Sequence, residues 1–213
     1  SDKLMSLDSA EVEALSGFAE EDSIYIKAVM NDRPGNETVG TESSSRLLID
    51  ETPPSLISAS YESNFSDSSL ATVGHVVTLT FETDVEIQTP SATISTQNAI
   101  ISDLGSNRWS ASYEMQDSDT EGVIPFQTAT LTDSRGNPTE GTSSTMDGTE
   151  VTFDNTQPTL NPVTILSDNP DTEWAKVGDT VTVNFTGEET LIAQTATIVT
   201  QSAAITDLGG QVY

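Results

Sequence analysis

The sequence predicts an all-β protein made of similar β-sandwich units joined end to end. Three observations carry this reading. The stretch Asp50-Glu51-Thr52-Pro53-Pro54-Ser55-Leu56 returns as Asp154-Asn155-Thr156-Gln157-Pro158-Thr159-Leu160, a period of about 104 residues, and self-similarity at a fixed long period decides the architecture before any local feature. Val77, Leu79 and Phe81 alternate with Thr78 and Thr80, as Val181, Val183 and Phe185 do with Thr182 and Asn184. Period two is the mark of a strand with one buried and one wet face. Turn-forming residues at Gly74, Gly105-Ser106-Asn107 and Gly136-Asn137 separate such runs.

In each copy of the hinge a proline precedes a strand-like run. Its fixed φ and missing N–H suit the start of a strand and not its middle. From Pro54 to Trp109 the chain runs beside Pro158 to Tyr213 without a gap, Val73-Gly74, Ala92-Thr93-Ile94 and Asp103-Leu104-Gly105 recurring as Val177-Gly178, Ala196-Thr197-Ile198 and Asp207-Leu208-Gly209. The start of the chain repeats the other half: Tyr25 to Asn36 matches Phe126 to Asn137. Residues 1–51 are therefore the C-terminal half of one repeat, 52–155 a complete repeat and 156–213 the N-terminal half of a further one. Within 52–155 strands are expected near 56–62, 76–82, 91–96, 98–103, 109–115, 123–132 and 149–153. Seven short strands in about 100 residues point to an immunoglobulin-like sandwich. Helix is expected nowhere beyond a single turn at Ser9–Leu15.

The formal net charge is −27, from 34 acidic and 7 basic residues. Nucleic acid and anionic membrane both attract Lys and Arg, so neither is an expected partner. Cations are, since they relieve carboxylate self-repulsion; solubility is the alternative account of the charge. With no cysteine, disulfides, thiol catalysis and cysteine metal sites are excluded. No apolar run has the length of a membrane span and no signal-peptide pattern is present, so the native N-terminus and any anchor are expected outside this chain.

These motifs resemble the tandem immunoglobulin-like repeats of large, mainly bacterial, cell-surface proteins. The resemblance rests on Asp50–Pro54 and Asp154–Pro158, on the strands Val73–Phe81 and Val177–Phe185, on Trp109–Tyr113, on the turn Asp119–Gly122, and on the loops Asp32–Asn36 and Asp133–Asn137. It covers nearly everything from Tyr25 onward. One departure is His75, where the family and the second copy (Asp179) have Asp. The resemblance implies extracellular stalks, adhesins or filaments, with calcium stiffening the joints, and it does not imply catalysis.

The residues themselves also argue against an enzyme. The only histidine, His75, has no counterpart in the second copy, and a histidine base needs an oriented partner. Acidic pairs are expected by chance in so acidic a chain, and no phosphate loop or His-rich metal spacing occurs. Calcium is the better case, because it takes six to eight hard oxygen ligands on adaptable loops. At the first joint a sandwich topology gathers Asp50 and Glu51, Asp84 and Glu86, and Asp133 with Asn137, reached also by Glu20, Glu21 and Asp22. At the second it gathers Asp117, Asp119 and Glu121, then Asp154 and Asn155, then Glu188 and Glu189. The alternative for every one of these is turn chemistry, since Asp and Asn cap turns and Asp-x-x-Gly-Asn is an ordinary hairpin signal. Asp117 to Gly122 resembles the front of an EF-hand loop, but Thr128 stands where the bidentate Glu belongs. The sequons at Asn36, Asn64 and Asn184 read as chance triplets. Trp109 and Tyr213 are expected in equivalent core positions, and Trp174, at the place of Leu70, is expected to pack.

The expected function is thus a structural, extracellular, cell-surface segment whose partners are neighbouring repeats or identical subunits. Two alternatives stay open. One is a module binding surface glycans or proteins; the other is a filament subunit completed head to tail by strand complementation.

Overall fold

The computed structural model describes residues 22–25, 27–189, 191, 195–198 and 201–206. It is all-β, and the described residues contain no helix; Ser9–Leu15 lies outside them. The chain divides into two compact units, Ser1–Asp154 and Asn155–Tyr213, the division falling in the second hinge.

The first segment carries β1 (Ser23–Ile24), β2 (Lys27–Asn31), β3 (Glu37–Glu42) and β4 (Leu47–Leu48). β1 pairs antiparallel with β4, and β2 with β3. The central segment follows with β5 (Leu56–Ser63), β6 (Leu70–Ala71), β7 (Val76–Thr83), β8 (Ala92–Ile94), β9 (Gln97–Asn98) and β10 (Ile100–Gly105). It continues with β11 (Arg108–Glu114), β12 (Gly122–Val123), β13 (Phe126–Thr128), β14 (Leu131–Thr132), β15 (Pro138–Thr139) and β16 (Thr152–Phe153). The expected strand over 123–132 is thus three short pieces. Pro125 has no N–H to give a ladder, and its carbonyl instead accepts the N–H of Ser95 at 2.9 Å.

One antiparallel sheet has the order β10-β11-β7-β5. In β7 the burial alternates residue by residue, with Val77, Leu79, Phe81 and Thr83 inside. The facing strands form the sets β13-β8-β9 and β12-β16-β6, in which β16 runs parallel to β6. The two layers close over one apolar cluster that includes Leu79, Phe81, Ile94, Trp109, Phe126 and Phe153. Burying each such side chain contributes about 1.5–3 kcal/mol, so this cluster is where the central segment's stability resides.

The second unit contains β17 (Leu160–Ser167), β18 (Val181–Gly187), β19 (Thr197–Ile198) and β20 (Gln201–Ser202). The sequence repeat is repeated in geometry. β17 pairs with β18 as β5 pairs with β7, Ile165 opposite Val183 where Tyr61 is opposite Leu79. Asn64 Oδ1 accepts the N–H of Val76, and Asp168 Oδ1 accepts that of Thr180, both at 2.9 Å.

Candidate functional site at the hinge

β14 and β15 are joined by Asp133-Ser134-Arg135-Gly136-Asn137. Gly136 has φ 106°, a left-handed conformation that glycine adopts without a Cβ penalty. The turn so formed wraps three N–H groups around one carboxylate oxygen: Asp133 Oδ1 accepts from Arg135, Gly136 and Asn137 at 2.9, 2.7 and 2.8 Å. Asn137 Nδ2 donates to Asp133 Oδ2 at 3.0 Å and to the Asp50 carbonyl at 3.1 Å. Asp133 is buried. Burial pushes its carboxyl up, but the bonds from Asn137, Arg135 and Gly136 outweigh this and hold it below the usual carboxylate range.

The loop thereby presents a cation to the hinge. Arg135 Nη1 lies 2.9 Å from Asp50 Oδ2. The far side of the hinge is clipped as well: Asp84 Oδ1 accepts the N–H of Ser55 at 2.7 Å, while the Asp84 N–H donates to the Ser55 carbonyl at 3.0 Å. The Ile87–Asp133 bridge brings the turn after β7 against the Asp133 loop. Asp50, Asp84, Asp133 and Arg135, with Leu48 and Pro53, line an open cleft of about 540 Å³.

The same loop occurs in the first segment. Asp32 Oδ1 accepts the Asn36 N–H at 2.7 Å, Asp32 Oδ2 accepts from Asn36 Nδ2 at 2.7 Å, and Gly35 has φ 95°. The bond from the Asn36 side chain, then that from its N–H, keeps the Asp32 carboxyl below its usual range. β2 meets β3 in the register that β14 has with β15, Met30 opposite Thr38 as Leu131 is opposite Thr139.

Of the expected first-joint ligands, the fold brings together Asp50, Asp84, Asp133 and Asn137. Glu51 and Glu86 are exposed, and Glu20 and Glu21 lie outside the described residues. Among the described residues no group of three or more His, Cys, Asp or Glu side chains gathers closely enough to hold a metal ion. The physical reason at this pole is that Asp133 is occupied by its own turn and that Arg135 supplies the positive charge beside Asp50. The geometry is that of an ion-paired, hydrogen-bonded clamp. Sequence reasoning passed over Arg135, although one of only 7 basic residues inside the Asp-x-x-Gly-Asn loop was a legible signal.

The second set is distributed differently. Asp119 Oδ1 accepts from Ser95 Oγ at 2.9 Å, and its Oδ2 from the Gln116 N–H at 2.7 Å. It pins the tight turn between β8 and β9, where Ser95 and Thr96 have φ 50° and 66°. Asp117 and Glu121 are exposed on the same loop, which leads into β12 and is flanked by no helix. The Asp154 N–H donates to the Ala71 carbonyl at 3.0 Å. Glu188 and Glu189 belong to the second unit, where the Glu188 N–H donates to the Thr159 carbonyl at 3.1 Å, the counterpart of Asp84 and Ser55.

His75 has a structural task. Its Nδ1 lies 3.4 Å from the Thr72 nitrogen and 3.0 Å from Thr72 Oγ1, and in the second unit Asp179 Oδ2 accepts the N–H of Lys176 at 2.9 Å. Both close the turn before a long strand, which explains how one replaces the other. Its ring meets Phe65 edge-on at 4.9 Å. Trp109 is in the core as expected, while Tyr213 lies outside the described residues. Trp174 corrects its expectation: it is exposed, as is Leu70 at the equivalent place. Comparison with protein families, with characterised proteins and with solved structures finds no match to this chain.

Proposed function

We propose that this chain is a structural repeat segment of an extracellular stalk, adhesin or filament, built from tandem immunoglobulin-like sandwiches. The observation that carries the reading is the seated hinge: a loop that holds Asp50 through Arg135 and Asn137. A joint between units needs such a seat if the units are to transmit force or keep a direction; a free-standing binding module does not. The order β10-β11-β7-β5 in the four-stranded sheet is that of the D-E-B-A sheet of an immunoglobulin-like sandwich and supports that part of the reading. Stability in such arrays is a sum of unit and neighbour terms, so length grows by repetition.

Calcium is proposed as an added stiffener. Asp50, Asp84 and Asp133 line one cleft, and a carboxylate oxygen can accept from more than one partner. An ion bound there would compete with Arg135 for Asp50. A second reading, a glycan-binding module, is favoured by the exposed Trp174, since exposed aromatic faces serve as sugar platforms.

The test of the leading reading is antibody labelling of intact producing cells with serum raised against residues 52–155. Labelling without permeabilisation is expected. Labelling that appears only after permeabilisation would remove the cell-surface role.

A further inference from the structure

We propose that the cleft between residues 123–126 and the loop 143–150 binds one ring of a neutral sugar, with the Tyr61 hydroxyl as its buried hydrogen-bond donor. All the residues that line this cleft belong to the central segment, and its volume is about 280 Å³. That is just below the roughly 300–1,000 Å³ of sites for drug-sized ligands. It suits a single six-membered ring and not an extended chain.

Two departures from the internal repeat meet at this cleft. Tyr61 stands where the second copy has Ile165, so the repeat can fill the position with a side chain that has no polar atom. The stretch from Asn137 to Asp154 spans 17 positions against 14 from Asn36 to Asp50, so the stretch that carries the outer wall has been lengthened. In a chain built by repetition each departure needs a local reason, and loops are where binding groups concentrate.

Tyr61 supplies the demand for a ligand. It lines the cleft and is only 3% exposed. Among the described residues its hydroxyl is the one buried side-chain polar atom without a hydrogen-bond partner. An orphaned donor of this kind carries its full desolvation cost and calls for a specific explanation. A ligand oxygen that accepts from it removes the cost.

The two walls match the two aspects of a sugar ring. Pro125 and Phe126 offer apolar surface for its C–H face, and Ser143, Ser144 and Thr145 bring hydroxyls for its polar edge. Glu150 is the only carboxylate in the lining and no basic residue joins it. The net charge of −27 repels an acidic sugar, so a neutral one fits.

The outer wall is preformed yet able to yield. Thr145 Oγ1 donates to the Thr149 carbonyl at 2.9 Å, and Thr149 Oγ1 donates to Asp147 Oδ1 at 2.7 Å. The loop is tied to β5 through the Met146 N–H on the Ala59 carbonyl at 2.9 Å and the Tyr61 N–H on Thr149 Oγ1 at 2.8 Å. Parting such ties locally costs less than global unfolding, so a sugar oxygen can reach the buried phenol. The inference is independent of the stalk reading.

Titration of the full chain with glucose, galactose, mannose and N-acetylglucosamine, followed by amide chemical shifts, tests it, with glycerol as the co-solvent control. At least one of these sugars is expected to shift the amides of Tyr61, 123–126 and 143–150 saturably, in the millimolar range that so few contacting atoms support. Tyr61→Phe is expected to fold and to weaken that binding about tenfold, the loss of one hydrogen bond. Ser144 is exposed on the rim, so Ser144→Trp is expected to fill the cleft and abolish binding while leaving the melting transition in place. No saturable shift with any of these sugars overturns the inference. So do shifts that glycerol reproduces, binding that is undiminished in both variants, or shifts confined to the surroundings of Trp174. A chain that binds sugar at this cleft but fails the cell-labelling test would keep this inference and lose the stalk reading.

Discussion

Asp133 is a buried carboxylate that stays charged because its turn was built around it. Three N–H groups converge on Oδ1 and an amide on Oδ2, so its lone pairs meet donors and not apolar side chains. Gly141 is the same kind of necessity expressed in volume: a Cβ there would overlap the carbonyl oxygens of Thr128 and Ala129, where the chain returns against β13. Tyr61 is the opposite case. Its ring packs 4.9 Å from that of Phe126, but its hydroxyl is buried without a hydrogen-bond partner, and burial pushes the phenol well above its usual range. Removing a buried hydroxyl that makes no bond removes only its desolvation cost. Tyr61→Phe is therefore expected to raise the stability of the central segment by about 1 kcal/mol in denaturant unfolding. A clear loss of stability would mean that the hydroxyl is bonded in solution.

At the scale of elements, the hinge is held by groups brought from both sides of it in sequence. β14 and β15 exist to project one loop, and the bridge from Ile87 to Asp133 brings the turn after β7 into line with it. The Arg135–Asp50 pair is partly exposed, so its contribution to unfolding is expected to be small, ~0.5–1 kcal/mol. The same contribution should be read out fully at the joint, since a local opening of the hinge breaks the pair while the global melt hardly registers it. Arg135→Ala is expected to leave the main melt nearly in place while raising the rate of proteolytic cutting between Asp50 and Ser55 several-fold. Unchanged cutting would show that the ion pair does not order the hinge.

For the whole molecule the governing quantity is a net charge of −27. Such self-repulsion opposes the compact state and is relieved by bound or screening cations. Under the calcium proposal, saturating calcium should raise the melting temperature of the chain relative to chelator, because a ligand held only by the folded form adds stability, about 2.7 kcal/mol at a hundredfold excess over Kd. Magnesium at equal ionic strength should do less, given its stricter geometry. Identical melts in calcium, magnesium and chelator would leave Arg135 and Asn137 as what stiffens the first joint.

Period-two runs such as Val77 to Phe81, the prolines at the strand starts and the repeated Asp-x-x-Gly-Asn loops were enough to place β5, β7, β10 and β11 and the turns between them. These features act over two to five residues, so composition and spacing reveal them directly. The same local rules misplaced the run at 123–132, where Pro125 breaks the ladder, and they said nothing about β6 and β15, two-residue strands defined only by their partners. For the hinge, the sequence by itself determined that acidic residues and an Asn would converge there, because the repeat and the sandwich topology place those loops at one pole. Only the tertiary structure decided what they do on meeting. Asp133 spends its acceptors on its own turn, and Arg135, 85 positions from Asp50 in sequence, supplies the cation through space, a contact that no local pattern encodes.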